Sequence, residues 1–368
     1  MEKNHFQTDY QAILKRVDDI DPLRYGKTRN YIDGDVTYLS PYISRGVIST
    51  KFVLDHVLKR GYKISEMESF VKELCWRDYF QRVAQEKDVN VDIKQPQVKV
   101  NNQEIPKRIL TAETGIEGID TAIQGLFETG YMHNHCRMYT ASVVCNMAGS
   151  HWKHPARWLY YHLLDGDWAS NACSWQWVAG AKSNKAYYAN QENINTYTHT
   201  QQTHTWLDKS YEELPLMDVP DELKDTERAV LYLELPKSEK CEINPEIPTF
   251  LYNYYNLDPL WHSGEVGNRI LLIEPDFFAN YPVSKKCMEF MLNLSNNIEG
   301  IQLYVGSFQS FVDQYKCSSI YFKEHPLNKG YAGTQEERDW ICDEVKGYYP
   351  SFFAYWKKLV KHLNVQEK

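Results

Sequence analysis

The sequence contains no C-x-x-C pair. Its eight cysteines stand apart at positions 75, 136, 145, 173, 241, 287, 317 and 342, so their spacing supports neither a zinc ribbon nor an iron–sulfur cluster, and no metal is expected. They are expected to be reduced, buried thiols. No run of about 18 apolar residues occurs, which excludes a membrane-spanning helix. The N-terminal stretch MEKNHFQTDYQAILKRVDD lacks the apolar core of a secretory signal, and the expected location is the cytoplasm. Excess positive charge is missing too. The net charge is −8, with 26 basic against 30 acidic residues in 1–225 and 15 against 19 in 226–368. Neither part has the surplus of Lys and Arg that would coat a chain in nucleic acid. With 368 residues, 43% of them hydrophobic, there is room for two domains and a sizeable core.

One local absence is more informative. Between Glu128 and Glu192 the only acids are Asp165 and Asp167, against Arg137, Lys153, Arg157, Lys182 and Lys185. The same stretch is rich in Trp, His and Asn, the profile of a site for a large, planar, anionic ligand. Its marks are H-N-x-x-R-M at 133–138, D-G-D-W-A-S-N at 165–171 and W-Q-W at 175–177. Upstream, the segment around E-L-C-W-R-D-Y-F reads as a helix with Glu73, Trp76, Arg77 and Phe80 on one face and Phe70 and Leu74 on another. An interface helix with a Glu–Arg pair would read the same way. Residues 37–41, T-Y-L-S-P, predict a helix start, with Ser40 as cap and Pro41 in the first position; free N–H groups there suit an anion.

Taken in order, these motifs resemble the flavin-binding domain of the DNA photolyase and cryptochrome family, most closely the branch that repairs cyclobutane pyrimidine dimers. The likeness runs from about Tyr25 to about Asp208. It implies noncovalent FAD held by Tyr25, by the loop of Thr37, Tyr38, Leu39 and Ser40, by Arg77, by Arg137 paired with Asp165, by Gly166 and Asp167, and by Asn171 facing the reactive flavin nitrogen. It implies a lesion pocket of Glu73, Trp76, Asn134, Met138 and Trp177, and makes Trp152 and Trp175 the two inner members of an electron relay. Asn134 stands where members that repair the (6-4) lesion place a second His, and photolyases keep Asn at the position of Asn171; both favour dimer repair. The implied partner is damaged DNA, bound by a monomer.

The chain departs from the family in three places. T-G-I-E-G-I-D-T-A at 114–122 lacks the usual Pro and aromatic, His135 replaces a common Arg, and the polar 95–104 stretch supplies no outermost Trp, a role left to Trp158 or a Tyr. These departures, with the acidic charge, keep open a cryptochrome-like photoreceptor without repair activity. Residues 88–113 read as an irregular surface excursion, and the acidic stretch 211–227 as a boundary. Beyond it 268–275, 301–308 and 318–325 read as strands, with a helix between the first two and another at the end, hence a small parallel sheet. No G-x-G-x-x-G follows these strands, so a dinucleotide fingerprint is absent. The expected fold class is mainly α: an all-helical flavin-binding domain over 1–225, then a small α/β domain over 226–368. That second part is either a permuted or degenerate form of the family's antenna domain or an unrelated appendage.

Overall fold

The computed structural model describes residues 6–238, 240–326, 328 and 330–366. Five helices carry the functional argument: α1 (Glu68–Glu86), α2 (Asn134–Ser142), α3 (Lys153–His162), α4 (Trp168–Val178) and α5 (Phe352–Gln366). The chain groups into two compact units. One joins residues 1–22, 37–85 and 232–368; the other joins 23–36 and 86–231. This grouping does not follow the 225/226 division expected from sequence, because the N-terminal helices pack with the C-terminal segment. The Tyr10 N–H donates to Asn297 Oδ1 at 2.9 Å, and Asn297 Nδ2 donates to the Thr8 carbonyl at 2.7 Å. The Arg45 guanidinium lies 3.5 Å from the Tyr254 ring centre, a cation–π contact.

In the first unit, the first helix is short. It spans Tyr10–Asp18 and is capped by the Asp9 carboxylate on the Ala12 N–H; a separate helix starts at Pro22, since proline cannot continue the first. Helix α1 has the two faces its sequence predicts. Phe70, Val71, Leu74, Cys75, Asp78 and Tyr79 are buried, while Glu73, Trp76, Arg77 and Phe80 are half-buried. The unit also contains a five-stranded parallel sheet of β1 (Thr249–Tyr252), β2 (Asn268–Ile273), β3 (Ile301–Val305), β4 (Ile320–Lys323) and β5 (Thr334–Glu336), in the order β3-β2-β1-β4-β5, with the expected helix, Lys285–Ser295, between β2 and β3. Strands β2, β3 and β4 fall where sequence placed them. The central strand β1 was not expected: it has four residues, all buried, and so lacks the alternation that marks a half-exposed strand. Leu251 of β1 is paired with Ile270 and Phe322, and these pack with Leu272 and Phe311 into the sheet's core.

The second unit is helical around α2, α3 and α4. The altered 114–122 segment still opens a helix, Glu117–Thr129. Its start is fixed by Asp120, whose carboxylate accepts from the Thr114 N–H, the Thr114 hydroxyl and the Gly115 N–H at 2.8, 2.6 and 3.0 Å. The 88–113 stretch is more than a surface excursion, because Asp92 and Gln97 turn inward to bond Trp152. Among the described residues, no helix is long and apolar enough to cross a membrane.

Candidate functional site

The second unit builds its site on the turn between α3 and α4. Gly166 donates to the Leu163 carbonyl at 2.9 Å, and a Cβ there would stand 2.9 Å from the Tyr160 oxygen and 3.0 Å from the Leu163 oxygen. Only glycine fits without shifting backbone. The turn fixes the two acids for different tasks. Asp167 caps α4, accepting from the Ser170 N–H at 2.8 Å. Asp165 receives Arg137 of α2, with Nη2 to Oδ2 at 2.9 Å, while Arg137 Nε donates to the Met132 carbonyl at 2.7 Å. The pair is secluded: the side chains are 22% and 5% exposed. Asn171, one turn along α4, donates its amide nitrogen to the Ala156 carbonyl of α3 at 2.6 Å. That bond fixes the orientation of the side chain and leaves the amide oxygen as the acceptor.

Trp175 and Trp177 are two residues apart on α4, hence on opposite sides of it. Trp175 is buried; Trp177 is 39% exposed and backed by the Tyr187 ring at 5.6 Å. Trp152 is fully buried, with Nε1 donating to Asp92 at 2.6 Å and its backbone N–H to Gln97 at 2.9 Å. On α2, Asn134 is the first helical residue and exposed, and Met138 is half-buried one turn on. Tyr25 lies half-buried on the short helix Pro22–Thr28.

His133 caps α2 through Nδ1, which accepts the His135 N–H at 3.2 Å. His135 lies against Tyr197, ring centres 5.0 Å apart. Burial pushes the His133 imidazole down to about 4, with His135 and Arg137 adding to the effect. Burial, with Arg29, does the same to His135. Both are therefore neutral at pH 7, and His135 offers a phosphate no cation. An unfolded His titrates near 6.5, so the unfolded chain takes up the extra protons first. Stability from this pair is complete above pH 6.5 and lost as pH falls toward 4. After discounting for partial exposure, each ring accounts for on the order of 2 kcal/mol. The urea midpoint should drop across that window, and His135→Gln should flatten the drop.

In the first unit, the 37–41 loop differs from expectation. Ser40 is not the cap. The helix is one turn, Ser40–Ser44; Leu39 precedes it in a helical conformation and no side chain caps it. The cause is Tyr38, whose φ of +52° turns the chain before Ser40; Thr37 Oγ1 accepts the Leu39 N–H at 3.4 Å. A single turn has little dipole, so any pull on an anion comes from individual N–H groups. Arg77 Nη2 donates to Ser44 Oγ at 2.6 Å, tying α1 to this turn. Trp76 stacks on Phe352 of α5, ring centres 3.9 Å apart and planes at 11°. The sequence reading missed Phe352 and Ser44 as partners; its signals, aromatics at i and i+3 in S-F-F-A-Y-W and a Ser one turn past Pro41, are too common to single out.

Residues 70–213 match the family described as the FAD binding domain of DNA photolyase. The chain is 31% identical over 158 residues to the deoxyribodipyrimidine photo-lyase of Alkalihalophilus pseudofirmus, covering 41% of this chain and 32% of that protein. It is 28% identical over 184 residues to the mitochondrial deoxyribodipyrimidine photo-lyase of Saccharomyces cerevisiae, covering 45% and 33%. It is 32% identical over 196 residues to the chloroplastic/mitochondrial cryptochrome DASH of Ostreococcus tauri, covering 47% and 36%. The chain thus spans about a third of the length of these relatives.

Proposed function

We propose that this chain, whose residues 70–213 match the FAD binding domain of DNA photolyase, holds FAD and splits cyclobutane pyrimidine dimers in DNA by a light-driven reaction. The residues of the second unit suit the cofactor chemically. Arg137 and Asp165 present a cation and an acceptor side by side, Asn171 adds an oriented amide oxygen, and Gly166 keeps the turn between them free of side chain. These residues would hold reduced FAD, whose light-driven chemistry would be to lend the dimer one electron and recover it after the ring has split.

The observation that carries the repair reading is Trp177. A 39% exposed indole, braced from behind by Tyr187, is a stacking platform open to a base. Lys182 and Lys185 follow it on a polar rim suited to phosphate. In this proposal Trp177 stacks on the extruded lesion, and Asn134 and Met138 complete its contacts. Arg77 holds the Ser40–Ser44 turn. Trp152 and Trp175 are proposed as the buried indoles that pass electrons inward. Extrusion favours the lesion over intact bases because a dimer already stacks and pairs poorly. Specificity would come from the pocket, since the chain is acidic overall and its hold on undamaged DNA should be weak and salt-sensitive.

The test is an irradiated thymine oligonucleotide, incubated with photoreduced protein in light and in darkness. Dimers should disappear only in light, and Trp177→Ala should weaken binding of the damaged strand by about 10-fold or more, since stacking contributes roughly 1–3 kcal/mol per base. One observation favours a second reading, a photoreceptor: one face of Trp76 is already covered by Phe352. Persistence of dimers in light with reduced FAD bound would favour that reading and end the first.

A further inference from the structure

We infer that Cys342, Glu344 and His362 form a binding site for a zinc-type divalent ion, one that fastens the C-terminal helix α5 to the loop preceding it. The thiol, carboxylate and imidazole ligand atoms lie within 4.8 Å of one another, and among the described residues no other three His, Cys, Asp or Glu side chains converge in this way. Cys342 is buried at 5% exposure and its sulfur lies 3.1 Å from Glu344 Oε2. Glu344 and His362 are exposed, so their side chains can swing the remaining distance. A tetrahedral zinc ion holds S, N and O ligands roughly 3.5 Å from one another, given Zn–S of about 2.3 Å and Zn–N or Zn–O of about 2.0–2.1 Å. Closing the present cluster onto an ion therefore takes only a small shift.

The donor set selects the metal. One thiolate with one imidazole and one carboxylate suits a borderline-soft ion, whereas calcium and magnesium prefer all-oxygen cages. Three protein ligands leave the fourth position to water, which reaches the site from the exposed side. Binding expels the thiol proton to solvent. No C-x-x-C spacing announces this site, because Cys342 and Glu344 lie on one loop and His362 comes from a helix eighteen residues further on.

The site's position gives it a consequence. The Cys342 loop already grips α1: the Ile341 N–H donates to Asp78 at 3.0 Å and the Trp340 ring faces the Arg82 guanidinium at 3.6 Å. Helix α5 rests on the same helix through Phe352 on Trp76 and Tyr355 on Tyr79, the latter at 5.7 Å. An ion joining His362 to Cys342 and Glu344 closes this arrangement and holds Phe352 over Trp76. The inference concerns this chain's own fold and stands whether or not dimer repair is the activity.

The test uses the full chain with its flavin, stripped of metal by a chelator, dialysed, and titrated with zinc chloride against a colorimetric zinc indicator. One zinc per chain is expected, with a rise in melting temperature on binding. His362→Ala and Glu344→Gln alter exposed side chains and should fold normally; each should weaken zinc binding at least tenfold and abolish the thermal shift. Absence of stoichiometric binding, or equal binding by both variants, would overturn the site.

Discussion

Asp165→Ala should yield a protein that purifies without flavin. The Arg137–Asp165 pair is 2.9 Å long with a carboxylate only 5% exposed, and removing one partner of such a pair leaves the other charge stranded away from water. That costs about 3–5 kcal/mol, and at about 1.4 kcal/mol per factor of ten it corresponds to roughly a 100- to 4,000-fold loss of FAD affinity. The flavin-to-protein absorbance ratio reads the outcome directly, and a melt of the flavin-free variant separates lost binding from lost fold. Asp165→Asn keeps the shape and one acceptor but loses the charge, so it should fall between the two. A full flavin content in Asp165→Ala would remove this turn from the cofactor site altogether.

The parts of this site that could be read from sequence are those made within a short stretch of chain. The D-G-D turn is one such case: the glycine is required by backbone atoms three and six residues away, and the second Asp caps the helix that follows it. The two faces of α1 are another, since residues at i, i+3 and i+4 share a side whatever they meet. What sequence could not supply is the identity of the partner. Trp76 was legible as an indole on a mixed face, but its stacking ring comes from residue 352, and no local rule links them. Trp152 was legible only as an inner relay member implied by the resemblance, and its acceptor, Asp92, lies in a stretch that reads as loop by composition. Strand β1 was hidden for the opposite reason. Its four residues are buried on both sides, so the period-2 signal that reveals a strand is absent. The cap assigned to Ser40 failed because a positive φ at a tyrosine, uncommon for such a residue, displaced the helix start. The grouping of residues 1–22 with 232–368 rests on contacts across nearly 300 positions and leaves no trace in composition.

Asp78 offers a test of the other unit in which two substitutions should diverge. Its side chain is buried in α1 and accepts from the Thr50 hydroxyl at 2.7 Å and from the Ile341 N–H at 3.0 Å. Burial pushes its carboxyl up to about 6, despite those two hydrogen bonds and the nearby Arg338 and Arg82. A carboxyl raised in the folded state contributes stability that is fully present below the unfolded value near 3.9 and is lost as pH rises through 6. A shift of that size corresponds to about 3 kcal/mol. At pH 7 the fold therefore carries a charge it would hold better as a neutral group, and Asp78→Asn supplies one. The amide oxygen can take the Ile341 N–H, and the amide nitrogen can donate to the Thr50 oxygen once the hydroxyl rotates. The Asn variant should thus lie within about 1 kcal/mol of wild type at pH 7 and lose the slope between pH 4 and 6. Asp78→Ala leaves the Thr50 hydroxyl and the Ile341 amide buried without an acceptor, at about 1–3 kcal/mol each, and should destabilise the chain by roughly 3–5 kcal/mol. Urea unfolding of the three proteins at pH 5 and pH 7 decides the matter: equal losses in Asn and Ala would mean that the charge itself, rather than its two hydrogen bonds, holds α1 to the Thr50 helix and the Ile341 loop.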